Sequence, residues 1–483
     1  MENIEILDMK KNIKTNITLK DFQSEGVERI RYNEETFNCG SVLAFDMGLG
    51  KTITFASFLA DRRDYEKPSR PDLIIVPLCV LTQWKNEIHR LRNTWKVFIY
   101  HGIKRVEQLK ENNDSDFIIT TYHSLVTREL ECYDWNRVVL DEAHNIRNGI
   151  ETKYKAVPKR AIGAYALKEK SKFCHCITGT PFNNCKNDLL SLMTFVGYEG
   201  EDDTKFVEQF VIQKTKEDIM DKINTDIIFI DSPKEGLTEY DDVLKLYIKL
   251  TFMLKSKKNV IEVRELYKQA MKLMAKLRVF CDIMQMNTTK IVAYNNEDEE
   301  DDENYEYNEV EFTREEKIMF IESSIKIKTV YDKLIDQIYI VPYKRIIIFS
   351  SFVTTLNILQ TIVNDKKPDI LTFKYTGKQN RKDRDEIVTH FTNENNKNPM
   401  VLFASLGAGS CGLNLVPCST VFLVDISINP FDEFQAINRV HRITQKNKVN
   451  VFKFCMKNMI EESILKSHYR KIEEAKSKGL LII

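Results

Sequence analysis

The sequence predicts an α/β protein made of two doubly wound parallel-sheet units joined by a mainly helical segment. Three observations lead there. Short apolar runs fall in two groups: Leu73–Val76, Phe117–Thr120, Val138–Leu140 and Cys174–Ile177, then Ile346–Phe349, Val401–Phe403, Val421–Val424 and Val449–Phe454. Runs that are apolar at successive positions, without strict alternation, suit strands covered on both faces, as in parallel sheets, and helical patterns fill several of the gaps. Between the groups no glycine occurs from Leu237 to Thr376, while Val263, Leu266, Ala270, Leu273 and Leu277 recur at helical spacing. The expected boundaries are a first unit at 1–195, a helical insertion at 196–325, a second unit at 326–460 and a C-terminal helical tail at 461–483.

The composition is compatible with this layout and excludes several classes. A chain of 483 residues accommodates two or three domains of about 100–200 residues each. Lys+Arg and Asp+Glu both total 71, but the stretch 297–311 holds ten acidic residues and no basic one. It is expected to be a solvated acidic loop, and without it 71 basic residues face 61 acidic ones, so the body is basic. The N-terminal MENIEILDMKK lacks the basic and apolar regions of a secretory signal. The longest apolar run, Leu73–Leu81, is nine residues and holds Pro77, against the roughly 20 that a bilayer demands, so no membrane contact is expected. Ten cysteines without a C-x-x-C pair read as reduced thiols of an intracellular protein. Cys174-His175-Cys176 lies on a strand-like run whose alternate residues face opposite ways, so no zinc is expected.

The 16 glycines are less than half the usual share of about 7%, so glycines that cluster call for a reason. The first such cluster follows a β-rich run in SVLAFDMGLGKT (41–52) and precedes the helix-like ITFASFLADRR. The string resembles a phosphate-binding P-loop, with Phe45 where the strict pattern has glycine. Gly48 and Gly50 would let backbone N–H groups approach phosphate oxygens at a helix N-terminus. Lys51 would reach the β/γ-phosphates and the Thr52 hydroxyl would ligate Mg2+. Downstream, Val138-Val139-Leu140-Asp141-Glu142 puts Asp141 at the carboxyl end of a strand, where such sheets bind ligands. Asp141 is the second candidate Mg2+ ligand and Glu142 the base for an attacking water.

These residues resemble the Swi/Snf-like branch of superfamily-two helicase-related ATPases, over about Leu19 to Glu462. LKDFQSEGV (19–27), LAFDMGLGKT (43–52), LIIVPLCVLTQWKNEI (73–88), TTYHSL (120–125), DEAH (141–144) and ITGTPFNN (177–184) appear in family order. SSIK (323–326), IIIFSSF (346–352), YTGKQNRKDR (375–384), SLGAGSCGLNL (405–415) and NPFDEFQAINRVHRITQ (429–445) follow. The resemblance implies two RecA-like lobes with ATP between them and Gln23 as the adenine contact. It also implies Arg439 and Arg442 as arginine fingers on one helix face of the second lobe. Gly409 joins the binding residues; Thr178, Thr180 and Gln435 couple the sites; and Lys85, Thr120, Thr121 and Ser405 meet the nucleic-acid backbone. Departures are Ser351 in place of a frequent Gln, Ile428 in place of Trp, Thr444 in a usual RIGQ, and FVIQKTKEDI (210–219) without a frequent arginine pair.

The resulting expectation is an ATP- and Mg2+-dependent translocase on double-stranded DNA that remodels protein–DNA complexes or assists transcription. Nucleosomes or transcription proteins are the expected partners and the nucleus the expected location. The compact, Lys/Asn-rich chain is similar to the global-transactivator-like proteins of insect large DNA viruses, so a viral chain would act in the host nucleus. Two other readings stay open: a strand-separating DNA helicase, and a regulatory scaffold that needs no hydrolysis.

Overall fold

The computed structural model describes residues 17–112, 114–146, 149, 157–179, 186–200, 202–216, 223–234, 236–256, 259–284, 293–294, 306–307, 312–340, 344–377, 379–393, 395–409, 415–442 and 445–477. Within them the chain forms two parallel sheets flanked by helices, each with its own core. The first sheet contains β1 (Val42–Phe45), β2 (Asp72–Val76), β3 (Val97–Tyr100), β4 (Phe117–Thr121), β5 (Trp135–Asp141), β6 (Ser171–Ile177) and β7 (Val211–Lys214), ordered β3-β4-β2-β5-β6-β1-β7. β2, β4 and β5 are buried at every position, as expected for strands covered on both faces. Because these strands run parallel, the loops after β1, β5 and β6 all emerge at one edge, where such sheets take ligands.

The second sheet is ordered β12-β13-β11-β14-β15-β8. Its strands are β8 (Asn224–Ile230), β11 (Arg345–Ser350), β12 (Leu371–Tyr375), β13 (Met400–Ser405), β14 (Thr420–Leu423) and β15 (Asn450–Met456). A two-residue antiparallel ladder pairs β9 (Ala293–Tyr294) with β10 (Glu306–Tyr307). The other residues of the acidic stretch 297–311 lie outside the described residues.

The segment 196–325 is not a separate helical body; its elements are divided between the lobes. β7 pairs with β1 in the first sheet, whereas β8 pairs along its whole length with β15 in the second. The long helix Val260–Ile283 sends Leu277, Phe280, Cys281 and Ile283 into the second lobe's core. At its end Asp282 accepts from Lys326 Nζ at 2.8 Å and Thr355 Oγ1 at 2.8 Å, and Lys326 also pairs with Glu461 at 2.5 Å. Glu461 opens the helix Ile460–Ser477, whose His468 Nε2 lies 2.7 Å from Ser427 O. The expected tail is therefore part of the second lobe as far as residue 477. Removing one partner from so buried an ion cluster leaves an uncompensated charge, which is why it joins three helices rigidly. No helix among the described residues is long and apolar enough to cross a membrane.

In the first lobe a second ionic cluster aligns the strands beneath the ligand edge. Arg137, on β5, is fully buried and donates to both oxygens of Glu34 at 2.7 Å. His175, on β6, accepts the Ser41 N–H at Nδ1 (3.1 Å). Its proton therefore sits on Nε2, which donates to Glu34 Oε1 at 2.8 Å. Both ring nitrogens are thus engaged, which gives the Cys174-His175-Cys176 run a structural role. Burial pushes the Glu34 carboxyl up, but Arg137 and His175 outweigh it and hold it down at about 2, from an ordinary 4.5. A depressed carboxyl stabilises the fold above its unfolded pKa and loses that contribution as pH falls through the folded one. Glu34→Gln should therefore lose on the order of 3 kcal/mol at neutral pH. Urea denaturation across pH should show the gap to wild type closing as pH falls from 4.5 toward 2; a gap independent of pH would contradict this role.

Candidate active site

The site begins where β1 ends. Asp46–Gly50 form a loop that leads into the helix Lys51–Glu66. Gly48 (φ 86°) and Gly50 (φ 85°) adopt the left-handed conformation, which glycine reaches without steric penalty. A Cβ on Gly48 would lie 3.1 Å from Arg442 Cγ, so the missing side chain admits a segment of the second lobe. Lys51 is buried and its Nζ donates to Phe45 O at 3.0 Å. A Cβ on Gly179, just past β6, would lie 3.2 Å from the same nitrogen. Burial lowers the Lys51 pKa, Glu142, Asp141 and Asp46 oppose that, and Arg439 reinforces it. Thr52 sits in the first helical turn. Gln23 is buried on the helix Asp21–Phe37; its Nε2 donates to Leu49 O at 2.9 Å and its Oε1 accepts Lys20 N–H at 2.9 Å. It is thus bound to the loop's own backbone.

Asp141 closes β5, two strands across the sheet from β1. Burial first, and then the Glu142 charge, push its carboxyl up to about 7, while a hydrogen bond from Trp84 and the Lys51 charge oppose the rise. Trp84 Nε1 donates to Asp141 Oδ2 at 2.7 Å, and Tyr122 Oη donates to the Asp141 carbonyl at 2.8 Å. Glu142 has φ 54°, a left-handed strain that persists only where surroundings impose it. Here its N–H donates to Asp141 Oδ1 at 3.0 Å and its carbonyl accepts Asn145 Nδ2–H at 2.8 Å. His144 Nδ1 lies 3.5 Å from Glu142 Oε2.

The second lobe supplies the cations opposite. Arg439 and Arg442 do not share a helix face: the helix Pro430–Ile437 ends before them and both lie in the turn that follows. That turn is closed by Asn438 N–H to Phe434 O (2.9 Å) and His441 N–H to Ile437 O (3.0 Å). Gln445 Nε2 braces it by donating to the carbonyls of Val416 (2.7 Å) and Cys418 (2.8 Å). Burial, and then Arg439, bring the Arg442 pKa down to about 10. Gln435 is buried on the preceding helix, one turn before Arg439.

The remaining expected residues are scattered. Thr178 is buried just after β6, its N–H bonded to Leu43 O at 3.1 Å; Thr180 lies outside the described residues. Thr120 departs from the expected surface contact: it is fully buried, with its hydroxyl donating to Tyr100 O at 2.9 Å and lying 2.8 Å from Ser124 Oγ. Thr121 is also buried, whereas Lys85 is half-buried on the helix Leu81–Leu91. Ser405 ends β13, and Gly409 ends the short helix Leu406–Gly409 after it. Ser351 accepts Arg278 Nη2–H at 2.8 Å.

Two participants take roles that the sequence did not assign them. Trp84 reads as a core residue and is one, fully buried, yet its indole also fixes Asp141; only a polar group in reach distinguishes such a tryptophan. Lys216 lies just beyond β7, and its backbone N–H donates to Asp46 Oδ2 at 2.8 Å. The junction therefore gathers Lys51, Lys216, Arg439 and Arg442 with Asp46, Asp141 and Glu142 in largely dry surroundings. Desolvated cations of one sign favour an incoming polyanion, and paired carboxylates favour a divalent cation. The donor set thus fits a nucleotide polyphosphate, and Thr52 and Asp141 are the residues that could hold a divalent cation beside it.

Residues 22–341 match the SNF2-related domain and residues 326–444 the helicase conserved C-terminal domain. The chain belongs to the SNF2-related family. An uncharacterized ATP-dependent helicase of Mycoplasma pneumoniae is 28% identical to this SNF2-related chain, covering 99% of it and 44% of the relative. The ISWI chromatin-remodeling complex ATPase ISW2 of Saccharomyces cerevisiae is 27% identical, covering 94% and 40%. The chain thus spans less than half the length of these curated relatives. Among solved structures, the Sulfolobus solfataricus SWI2/SNF2 ATPase core in complex with dsDNA aligns over 94% of this chain and 91% of that one, at 24% identity and TM-score 0.40.

Trp84→Phe keeps the aromatic bulk of this SNF2-related lobe but withdraws the donor from Asp141. It is expected to cost about 1.5–3 kcal/mol in urea denaturation. An unchanged midpoint would show that the indole–carboxylate bond contributes nothing.

Proposed function

We propose that this chain is the motor core of a DNA-dependent ATPase that translocates on duplex DNA and so remodels protein–DNA complexes or assists transcription. The observation that carries the reading is the placement of the Arg439–Arg442 turn of the second lobe against the Gly48 loop of the first. In hydrolysis a water oxygen bonds to the γ-phosphorus, the bond to the β,γ-bridging oxygen breaks, and ADP leaves with that electron pair. Glu142 takes the water's proton. Lys51, Arg439 and Arg442 stabilise the charge that spreads over the γ-phosphoryl oxygens. Bound Mg2+ supplies further charge neutralisation on the phosphates. Gln23 contacts the base by the family resemblance.

Since two of the cations belong to the other lobe, nucleotide favours lobes held together, and product release relaxes them. Coupling runs from that closure to the DNA face, with Thr178, Thr180 and Gln435 as relay. Lys85, Thr121, Ser405 and Gly409 are the proposed backbone contacts, a mode that tracks duplex without reading sequence. Nucleosomes or transcription proteins are the partners this motor would act on, and a nucleus the place where it would meet them. The same core occurs in a mycoplasma, so the family extends to cells without nuclei.

ATPase rates measured with no nucleic acid, single strands, naked duplex and nucleosomes test the reading. Duplex should stimulate turnover and labelled strands should remain paired. Rates that ignore DNA would contradict the proposal, and strand displacement would replace it with a helicase. Lys51→Ala and Glu142→Gln should abolish turnover. Arg442→Ala should lower kcat by about 10³-fold or more while nucleotide still binds; undiminished turnover in that variant would remove the second lobe from the chemistry.

A further inference from the structure

We propose that Lys216 is a positioning residue at the hinge, setting the arginine turn of the second lobe in register with the phosphate loop of the first. The inference rests on the ATPase reading above and adds a residue to it. Lys216 stands on the chain's first crossing between the lobes, after Lys214, the last residue of β7, and before Asn224, the first of β8. Each of its two polar groups faces a different lobe. The backbone N–H donates to Asp46 Oδ2 at 2.8 Å, on the loop that precedes Gly48. The side-chain Nζ donates to Asn438 Oδ1 at 2.8 Å and to the His441 carbonyl, both within the Arg439–Arg442 turn. Asp46 in turn donates its N–H to Lys214 O at 3.0 Å, so the loop and the crossing strand are laced together.

The cost of this arrangement argues for a purpose. The side chain is 1% exposed, and a lysine stripped of water is expensive unless its charge is met. Asp46 is the anion that favours its charged form, while Lys51, Arg439 and Arg442 disfavour it. A residue kept only for packing would be apolar at such a position. An ammonium with two acceptors on one turn fixes the position and rotation of that turn, hence where both guanidinium groups point. An added polyphosphate would relieve the repulsion among all four cations at once, so the lock and the nucleotide reinforce each other.

Lys216→Met retains bulk and the N–H to Asp46 but removes the charged donor. It should lower kcat about 10- to 100-fold and, because lock and nucleotide reinforce each other, weaken binding of a fluorescent ATP analogue by a smaller factor. Lys216→Arg, which retains a cationic donor, should recover part of the loss, and Asn438→Ala should reproduce a fraction of it from the opposite lobe. The decisive arm places Lys216→Met in an Arg442→Ala background, where it should cost less than in the wild type, because one of the two groups it positions is already gone. An equal loss in both backgrounds, or wild-type kcat in Lys216→Met, would overturn the proposal. Small-angle scattering separates this from the functional reading: Lys216→Met should show a larger radius of gyration than wild type whether or not either turns over ATP. A wild-type chain without ATPase activity would sink the functional reading alone, and identical scattering would sink the hinge lock.

Discussion

Everything at the junction follows from four cations held where water is scarce. Lys51 and Lys216 belong to the first lobe and the crossing strand, Arg439 and Arg442 to the second lobe. Burial works against all the charges whose shifts are resolved. Such a cluster can persist only through the three nearby acids and a set of carbonyl acceptors, and it gains most from a ligand bearing several negative charges. The site is thus electrostatically incomplete in a specific sense, and a polyphosphate is the chemical class that completes it.

The two parallel sheets make that convergence possible. Parallel pairing brings the loop after β1, the carboxylates after β5 and the turn after β6 to one edge. Ionic clusters inside each lobe, Arg137–Glu34–His175 in one and Lys326–Asp282–Glu461 in the other, keep each edge rigid. Rigid lobes with a cationic seam between them can transmit a small change in nucleotide charge as a rigid-body motion. The elements from 196 to 325 reinforce both lobes, β7 the first sheet and β8 the second, and the last helix reinforces the second lobe.

Much of this was legible in the sequence because central strands and phosphate loops carry strong local signals. Val138–Leu140 and Ile346–Phe349 are apolar without interruption since neighbours cover both faces, and the glycines of the GLGKT string are demanded by their left-handed backbone as well as by close neighbours. The strands that escaped notice, β3, β7, β8 and β12, are the four sheet edges. Edge strands are short or half-exposed, so the signal that marks a central strand is weaker in them: β3 and β7 have four residues each, and β8 is half-buried or exposed at every position but Ile230. β8 also explains why 196–325 read as one insertion: its partner β15 lies more than 200 residues away, and pairing at that distance leaves no local trace. Thr120 misled for a different reason, because a threonine at a strand end looks the same whether its hydroxyl faces DNA or a neighbouring carbonyl. Trp84 acts through one long-range hydrogen bond and Lys216 through three, which only the assembled fold reveals.

The central claim is that the second lobe's arginine turn completes the nucleotide site, so that nucleotide and lobe contact are one equilibrium. Energy transfer between dyes at the exposed positions Ile103 and Lys382, one on each lobe, measures that equilibrium directly. The account predicts that a non-hydrolysable ATP analogue with Mg2+ raises the closed population in the wild type and fails to do so when Arg439 and Arg442 are both alanine. Equal closure in the two proteins would contradict it.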